Sequence, residues 1–446
     1  MVSAAEQLAA NMNLGTFAKA TELKRRIWFT LGVLIVYRLG TYIPLPGIDP
    51  HVMAEVFKQN AGGILGMFDM FAGGAVSRMS IFALNIMPYI SASIIVQLLT
   101  AIVPSLESLK KEGDSGRKKI NQYSRYGTVL LSVVQAYAIA AGLQAANQAG
   151  AALVPNPGVF FILTTVITLT GGTVFLMWLG EQITARGIGN GISLIIFAGI
   201  VAHLPTALAS LLELSRTGAI SPVTVIFLLV MAIAVIAFVV FIERAQRRLI
   251  VQYPRRQMGN KMVGGDSSAL PMKINTSGVI PPIFASSILL LPATFGGFGI
   301  ANPDSWFGAF ITALGHGQPA YMAAYALLIA FFAFFYTSVV FNPNDTAENL
   351  RKYGGFIPGI RPGAATAEYL DYVLTRITVL GALYLVAICL LPEFLLARHA
   401  LPFYFGGTSL LIVVTVTMDT VGQIQSHLLS HQYEGLIKKA KLKGRQ

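Results

Sequence analysis

Long apolar runs with almost no charge recur along the chain, and they constrain its fold more than any other feature. A membrane-spanning helix needs roughly 20 apolar residues. Charged residues make up only 12% of the chain, about half of the roughly 25% found in soluble proteins. The sequence therefore predicts an all-α polytopic membrane protein with ten candidate spans, at about 23–43, 78–103, 122–145, 158–180, 188–204, 220–242, 275–293, 319–340, 369–391 and 402–421.

The basic residues are sorted between the two sides of these spans. Loops that stay in the cytoplasm carry an excess of Lys and Arg. Of the 32 basic residues, only five lie on or near the side of the odd-numbered loops, namely Arg38, Lys58, Arg78, Arg216 and Arg398. The sorting predicts a multi-pass protein with both termini in the cytoplasm. A soluble nucleic-acid-binding protein is the competing interpretation of a basic chain, but here the basic residues separate apolar runs and form no single face.

The two ends and the single cysteine add further expectations. Residues 1–22 read as an amphipathic cytoplasmic N-terminus that binds anionic lipids, and 425–446 reads as a basic cytoplasmic tail. We find no cleavable signal-peptide pattern at the start. Cys389 is the only cysteine, so no intrachain disulfide and no metal cluster is expected. We expect no cofactor.

One stretch, Gly62–Pro104, is broken in two. Ile64–Phe71 is apolar but too short to cross a bilayer, and glycine pairs flank it on both sides. Met79–Val103 follows and is long enough to span. A half-length helix at membrane depth must be buried in protein or line a water-filled cavity. The stretch is therefore consistent with a cavity that holds a short helix, and equally with an extramembrane loop that carries an apolar patch.

The chain divides into two similar halves. Residues 23–205 hold spans one to five, 206–219 form an outer hinge connection, and 220–424 hold spans six to ten. The second span of each half contains breaks and small polar residues, and Pro281-Pro282 is expected to kink span seven. Interrupted segments at matching places in two halves indicate a functional pathway where the halves meet.

Two inner loops are longer than a simple connection needs. The loop 243–273 alternates apolar and basic residues around Tyr253-Pro254-Arg255, which predicts a β-hairpin. The loop 341–368 contains a short helix that Asp345 or Thr346 could cap and that Gly354-Gly355 could end. Both loops are predicted to dock partners, and binding to inner-leaflet lipid is the alternative.

The span centres contain few ionisable residues, which limits what the pathway can carry. No interior carboxylate pair stands out, which argues against a proton-coupled transporter, although sodium coupling through backbone oxygens stays open. Ser193 and Ser409 lie in short glycine-containing strings, but the histidines lie in loops, span ends or the tail. A serine-type intramembrane protease is therefore disfavoured, and no enzyme is predicted.

A set of ordered motifs covers nearly the whole chain. They are MFxMFxGGAxSRxSIFAL at Met67–Leu84, IMPYISASII at Ile86–Ile95, KKEGDSGRKKINQYSRYGT at Lys110–Thr128, LGEQITARGIGNGIS at Leu179–Ser193, GVIPPIFASSI at Gly278–Ile288, FNPNDTAENL with GIRPG, and PFYFGGTSLLI at Pro402–Ile412. In this order and spacing they resemble the SecY family, the channel-forming subunits of the bacterial Sec protein translocase.

The resemblance implies two five-helix halves around an hourglass pore. Residues 63–73 would be a plug half-helix, with Ile64, Leu65, Met67, Phe68, Asp69 and Phe71 as its side chains. A ring of apolar side chains would form the constriction, at Ile86, Ile90, Ile192, Ile196, Ile283 and Ile412. Two pairs in this ring are spaced four apart and so share a helix face, a spacing that is common in any membrane helix.

The resemblance also implies a lateral gate and partners. The gate between spans two and seven would hold Ser91, Gln97, Ser286, Ser287 and Leu291, for which interhelical hydrogen bonding without gating is the alternative. Arg255, Arg256 and Arg361 would dock the SecA ATPase or the ribosome, and SecE and SecG would be membrane subunits. Signal sequences and unfolded preproteins would cross or leave through the pore in the bacterial plasma membrane. A secondary transporter of small solutes is the alternative function.

Overall fold

The computed structural model describes residues 21–49, 52–53, 55, 57, 69, 71–148, 154–218, 221–253, 256–258, 261–263, 267–297, 318–398 and 407–443. Helices dominate these residues, and four short strands form two hairpin pairs. In chain order the elements are α1 Thr21–Gly40, α2 Met87–Ile102, α3 Pro104–Lys111, α4 Asp114–Gln148, α5 Val159–Arg186, α6 Gly191–Arg216, α7 Pro222–Arg244, β1 Gln246–Gln252, β2 Arg256–Met258, β3 Lys261–Val263, β4 Ser267–Lys273, α8 Ile280–Gly297, α9 Pro319–Val340, α10 Pro343–Lys352, α11 Ala364–Arg398 and α12 Gly407–Lys443.

Seven helices in the described part of the chain are long and apolar enough to cross a membrane: α4, α5, α6, α7, α9, α11 and α12. The pair α2 and α3 could count as an eighth span, but it is bent by 98° at Val103. The helices α1 and α8 occupy the positions expected for spans one and seven. The class of polytopic helical membrane protein is thus confirmed, and the count of ten spans stays a prediction.

Span two is shorter than the apolar run at 78–103 indicated. Turns occupy residues 72–86, and the helix begins only at Met87. Met79 and Asn85 have φ angles of 44° and 48°, which a right-handed helix does not allow. Backbone bonds to the end of span one replace helical ones, from Leu45 N to Met79 O at 2.9 Å and from Ile81 N to Ile43 O at 3.0 Å.

The expected proline kink in span seven is wrong. The helix α8 begins at Ile280, so Pro281 and Pro282 lie in its first turn. The first four N–H groups of a helix have no partner within it, so prolines there remove no hydrogen bond. The two prolines start this helix and do not hinge it.

Two expected connections are largely helical. The inner loop at 109–127 has only a short break, where Gly113 adopts a φ of 79°, before α4 begins at Asp114. The outer connection 206–219 is helical as far as Arg216, because α6 continues through Pro205. The stretch after this proline is rich in Ala and Leu, the strongest helix formers, and so the helix runs on past it.

The two long loops pack into one unit. Strands β1 and β4 pair antiparallel, from Gln246 opposite Lys273 to Gln252 opposite Ser267, so the predicted hairpin is confirmed. Gln252 also exchanges two backbone bonds with Phe356 of the second loop, at 2.8 and 3.0 Å. Buried residues from both loops and from α11, including Val251, Ile357 and Leu370, form a separate apolar cluster.

The cap of α10 differs from the expectation. Asn342 is the N-cap, and its side chain accepts a bond from Asn344 N at 3.0 Å. Asp345 and Thr346 lie inside the helix because Pro343 takes its first position, which proline favours. Gly354 follows the helix with a φ of 73°, as the predicted glycine end requires.

Candidate functional site

An open cavity of about 570 Å³ lies where α6, α8 and α12 meet, near the base of the β1–β4 hairpin. Polar side chains line much of it: Asn190 at the N-cap of α6, Ser193 on α6, Ser277 before α8, and Asp419 and Gln423 on α12. A cavity of this size and polarity holds many water molecules. It is large enough to admit an extended segment of polypeptide.

A much smaller void is lined in part by α6 and α8, two of the helices that line this cavity. Its volume is about 10 Å³, roughly the space of a single water molecule. The lining is mostly apolar and consists of Phe71, Asn85, Ile86, Met87, Ile90, Ile196, Ile283 and Ser286. Water needs two to four polar partners to be stable in a buried site, so this lining favours a dry constriction.

The change from wide to narrow takes about one helical turn. On α8, Ile280 lines the open cavity and Ile283 lines the void, and on α6 Ser193 and Ile196 do the same. Three residues of helix correspond to roughly 4.5 Å. The site therefore has the form of a funnel that ends at an apolar neck.

The six predicted ring isoleucines all belong to the main apolar cluster of the protein. Ile86, Ile90, Ile196 and Ile283 line the void together. Ile192 packs close to Gly180, and Ile412 is fully buried in the same cluster. Ile86 is the residue that caps α2, and its carbonyl accepts from Ile90 N at 3.1 Å. The role of the six as one ring stays a prediction.

Side chains from several segments hold the backbone on the far side of the void. Carbonyl oxygens of four residues near the end of the predicted plug each accept a side-chain hydrogen bond. The bonds run from His203 Nε2 to Asp69 O at 3.3 Å, from Asn85 Nδ2 to Phe71 O at 2.6 Å, from Tyr37 Oη to Ala72 O at 3.4 Å, and from Arg38 and Arg78 to Gly73 O at 2.6 and 3.2 Å.

Asp69 stabilises the turn that follows the predicted plug. Its Oδ1 accepts from Val76 N at 2.9 Å and from Ser77 N at 2.7 Å, and its carbonyl accepts from Gly74 N at 3.0 Å. Asp69 is only 5% exposed, so these bonds compensate for its desolvation. Phe71 lines the void, whereas Ile64, Leu65, Met67 and Phe68 lie outside the described residues.

Sequence reasoning missed the five residues that bond the carbonyl groups at the end of the predicted plug. In the sequence, Arg38 and Arg78 stand out only as basic residues on the side of the membrane that carries few others. Both guanidinium groups also lie over the Tyr42 ring, at 4.9 and 4.1 Å from its centre. Two arginines on the side that carries few basic residues were a sequence signal for a specific role. Asn85 gave no signal beyond being polar within an apolar run.

The predicted lateral gate lies along the contact of α2 with α8. Ser287 Oγ is 3.8 Å from Met87 Sδ across this contact. Ser286 and Ser287 otherwise donate to Ile283 O in their own helix, and Gln97 Nε2 donates to Ser93 Oγ at 3.3 Å within α2. Ser91, Ser286 and Ser287 are buried. The side chain of Leu291 lies outside the described residues.

The predicted docking residues fall on the unit formed by the two long loops. Arg361 is exposed, and its carbonyl accepts from Thr366 Oγ1 at 2.8 Å. Arg256 lies in β2 but its side chain is not described, and Arg255 falls outside the described residues. Further exposed basic residues on the same unit are Arg247, Arg248, Arg351 and Lys352. Lys352 pairs with Glu348, and exposed basic residues outnumber exposed acidic ones on the described part of the unit.

A helical membrane protein in which a polar funnel narrows to an apolar neck belongs to the class of gated channels. The family model for SecY matches residues 80–421. Relatives include protein translocase subunit SecY of Rickettsia conorii, which is 55% identical over 95% of this chain and 97% of that protein. The same subunit of Escherichia coli is 56% identical over 95% and 96% of the two chains. The chain belongs to the SecY family of protein translocase subunits.

Solved structures share this fold at low sequence identity. One described as the structure of a protein conducting channel has a TM-score of 0.67 at 19% identity and covers 92% of this chain and 93% of its own. Sec61 in the canine ribosome-channel complex from the endoplasmic reticulum has a TM-score of 0.63 at 18% identity, with the same coverage. The fold is therefore that of protein-conducting channels.

Proposed function

We propose that this chain is the passive, gated conduit of a bacterial Sec translocon. Unfolded secretory polypeptides cross through the funnel and the isoleucine neck, and membrane segments leave sideways between α2 and α8. The observation that carries the proposal is the polar funnel of about 570 Å³ that closes to a void of about 10 Å³. Family membership supports the assignment of polypeptide as the transported species.

The apolar neck suits a conduit that must pass many different side chains. An apolar constriction loses its water and so blocks ions when nothing fills it. It requires no particular hydrogen bond from the passing chain, so it does not select among sequences. The β-branched isoleucine side chain is stiff at χ1, which gives the neck a defined shape when the helices around it are at rest.

The basic loop unit is proposed as the docking surface for the partners that supply energy, the SecA ATPase and the ribosome. Its exposed Arg and Lys side chains favour contact with acidic protein surfaces or with RNA phosphate. The positive-inside rule then puts this unit, and both termini, in the cytoplasm. SecE and SecG are proposed as the membrane subunits, and anionic lipids as the contact of residues 1–22.

A photo-crosslinking experiment tests the pathway. A photoreactive amino acid replaces Ile283 in the neck, and a matched control replaces Leu383 on α11, which is 63% exposed. A secretory chain is then stalled in vesicles that contain the protein with its partners. We expect the chain to crosslink to position 283 and not to position 383. Transport without crosslinking at position 283 would show that the polypeptide takes another route.

A further inference from the structure

Asn85 joins the neck to the backbone that closes it. It directly precedes Ile86 and lines the small void together with Ile90 and Ile283. Its side chain is 2% exposed. Of the five side chains that hold the carbonyls of the plug end, Asn85 is the one that also lines the void. Its position links the two parts of the closure.

The hydrogen bonding of Asn85 is one-sided. A carbonyl oxygen can only accept, so the amide nitrogen of Asn85 must be the atom that faces Phe71 O, at 2.6 Å. The amide oxygen is then left buried without a hydrogen-bond partner among the described residues. Buried polar atoms are nearly always paired, so this unpaired oxygen calls for an explanation.

The backbone of Asn85 is also in an unfavourable state. Its φ of 48° lies in the left-handed region, which asparagine tolerates better than most residues but which still costs free energy. Outliers of this kind persist where the surrounding structure holds them and are frequent at sites that switch. Movement of the plug end away from the neck would let water reach the free oxygen and would relax the backbone.

We propose that Asn85 is a latch, a positioning residue that holds Phe71 against the isoleucine neck in the resting channel and releases it at low cost. The latch deepens the proposed function and rests on it. Tyr37, Arg38, Arg78 and His203 fix the neighbouring carbonyls, whereas Asn85 ties the plug end to the residue next to the neck. A chain that widens the neck would shift α2 and Asn85 with it, and the bond to Phe71 would break.

The ion conductance of the resting channel tests the latch. Asn85→Gly removes the amide and fits the left-handed backbone. In planar bilayers, with the membrane subunits but without a preprotein, we expect the resting conductance to rise about tenfold, the factor that corresponds to one buried hydrogen bond. Asn85→Asp keeps the shape of the side chain but turns an oxygen toward Phe71 O, and it should leak as well. Both variants should still co-purify with the membrane subunits, which shows that they fold and assemble.

Two matched controls separate the latch from general loosening. Ser132→Ala removes a buried hydroxyl that donates to Val129 O within α4, away from the void. Thr337→Ala removes a second buried hydroxyl, one that donates to Ala333 O within α9. Both controls should stay as tight to ions as the unmodified channel. Asn85 variants that are equally tight, or controls that leak equally, would overturn the latch.

Deletion of residues 63–73 completes the test. The deleted channel should leak, and Asn85→Gly should add nothing to that leak, because its effect acts through the plug. An additional leak in the doubly changed channel would mean that Asn85 acts on the neck itself and would overturn the proposal. Crosslinking at position 283 tests the proposed function independently. If a stalled chain crosslinks there while the Asn85 variants stay tight to ions, the latch is wrong and the proposed conduit is retained.

Discussion

At the scale of single residues, two adjacent glycines of α5 play different parts. A β-carbon on Gly172 would overlap the carbonyl oxygen of Ile81, which belongs to the turn segment before α2, whereas a β-carbon on Gly171 would meet nothing within 4 Å. Small residues let backbones approach closely in membrane proteins. Gly172 is therefore the residue that lets α5 support the non-helical turns beside the neck.

This difference gives a paired prediction. Gly172→Ala should destabilise the protein by about 1–3 kcal/mol, as overpacking of a close contact does, because the Ile81 carbonyl belongs to backbone and cannot move aside cheaply. Gly171→Ala should be neutral or stabilising by up to about 1 kcal/mol through helix propensity. Thermal unfolding of the purified complex in detergent measures both. Equal melting temperatures for the two variants would contradict the packing role of Gly172.

At the scale of elements, the two long loops act as one body. The exchange of backbone bonds between Gln252 and Phe356 joins the hairpin to the loop after α10, and their shared apolar cluster rests on α11. At the base of the hairpin, the buried Glu243 accepts from Asn275 Nδ2 at 2.6 Å, and the same amide bonds Gly278 O just before α8. The proposed docking unit is thus continuous with the start of α8, one of the two helices of the predicted gate.

Reversal of charge at Arg361 tests docking on this unit. Arg361→Glu should lower motor-driven export by about tenfold or more in vesicles, since like charges across an interface cost several kcal/mol, while assembly stays intact. Arg361→Lys keeps the charge and should lose less. Arg216→Glu, at an exposed end of α6 where only a surface ion pair with Glu213 is altered, serves as the control. Normal export by Arg361→Glu would remove Arg361 from the docking surface.

At the scale of the whole molecule, the contact of α2 with α8 is the predicted lateral gate, where we expect the chain to open sideways. The contact includes Met87 and Ser287, whose Sδ and Oγ atoms are 3.8 Å apart, and it lacks a described ion pair. Pairs of this kind separate without leaving a buried charge. The neck and the predicted gate share these two helices, so we expect widening of the neck to accompany opening of the gate.

A reversible tether across this contact should stop transport. We expect Met87→Cys with Ser287→Cys, joined by a short bifunctional thiol reagent, to block translocation, and cleavage of the tether to restore it. The native Cys389 is buried. The two single-cysteine variants, treated with the same reagent, show how much of any block comes from reaction at Cys389. Full transport through the tethered channel would mean that the polypeptide passes without any separation of α2 and α8.

The sequence by itself determined the class and most of the spans, because apolar length and charge sorting depend on composition along the chain alone. Its ordered motifs, by resemblance, indicated the family. It also identified the hairpin, and four of the six isoleucines that it predicted share one void. Only the tertiary structure decided that span two starts at Met87, that Pro281 begins a helix, and that Asn342 caps α10. It likewise decided that Asn85 and His203 bond carbonyl groups of the predicted plug. These features depend on contacts between distant segments and on backbone angles such as the φ of Asn85, and local pattern does not contain either.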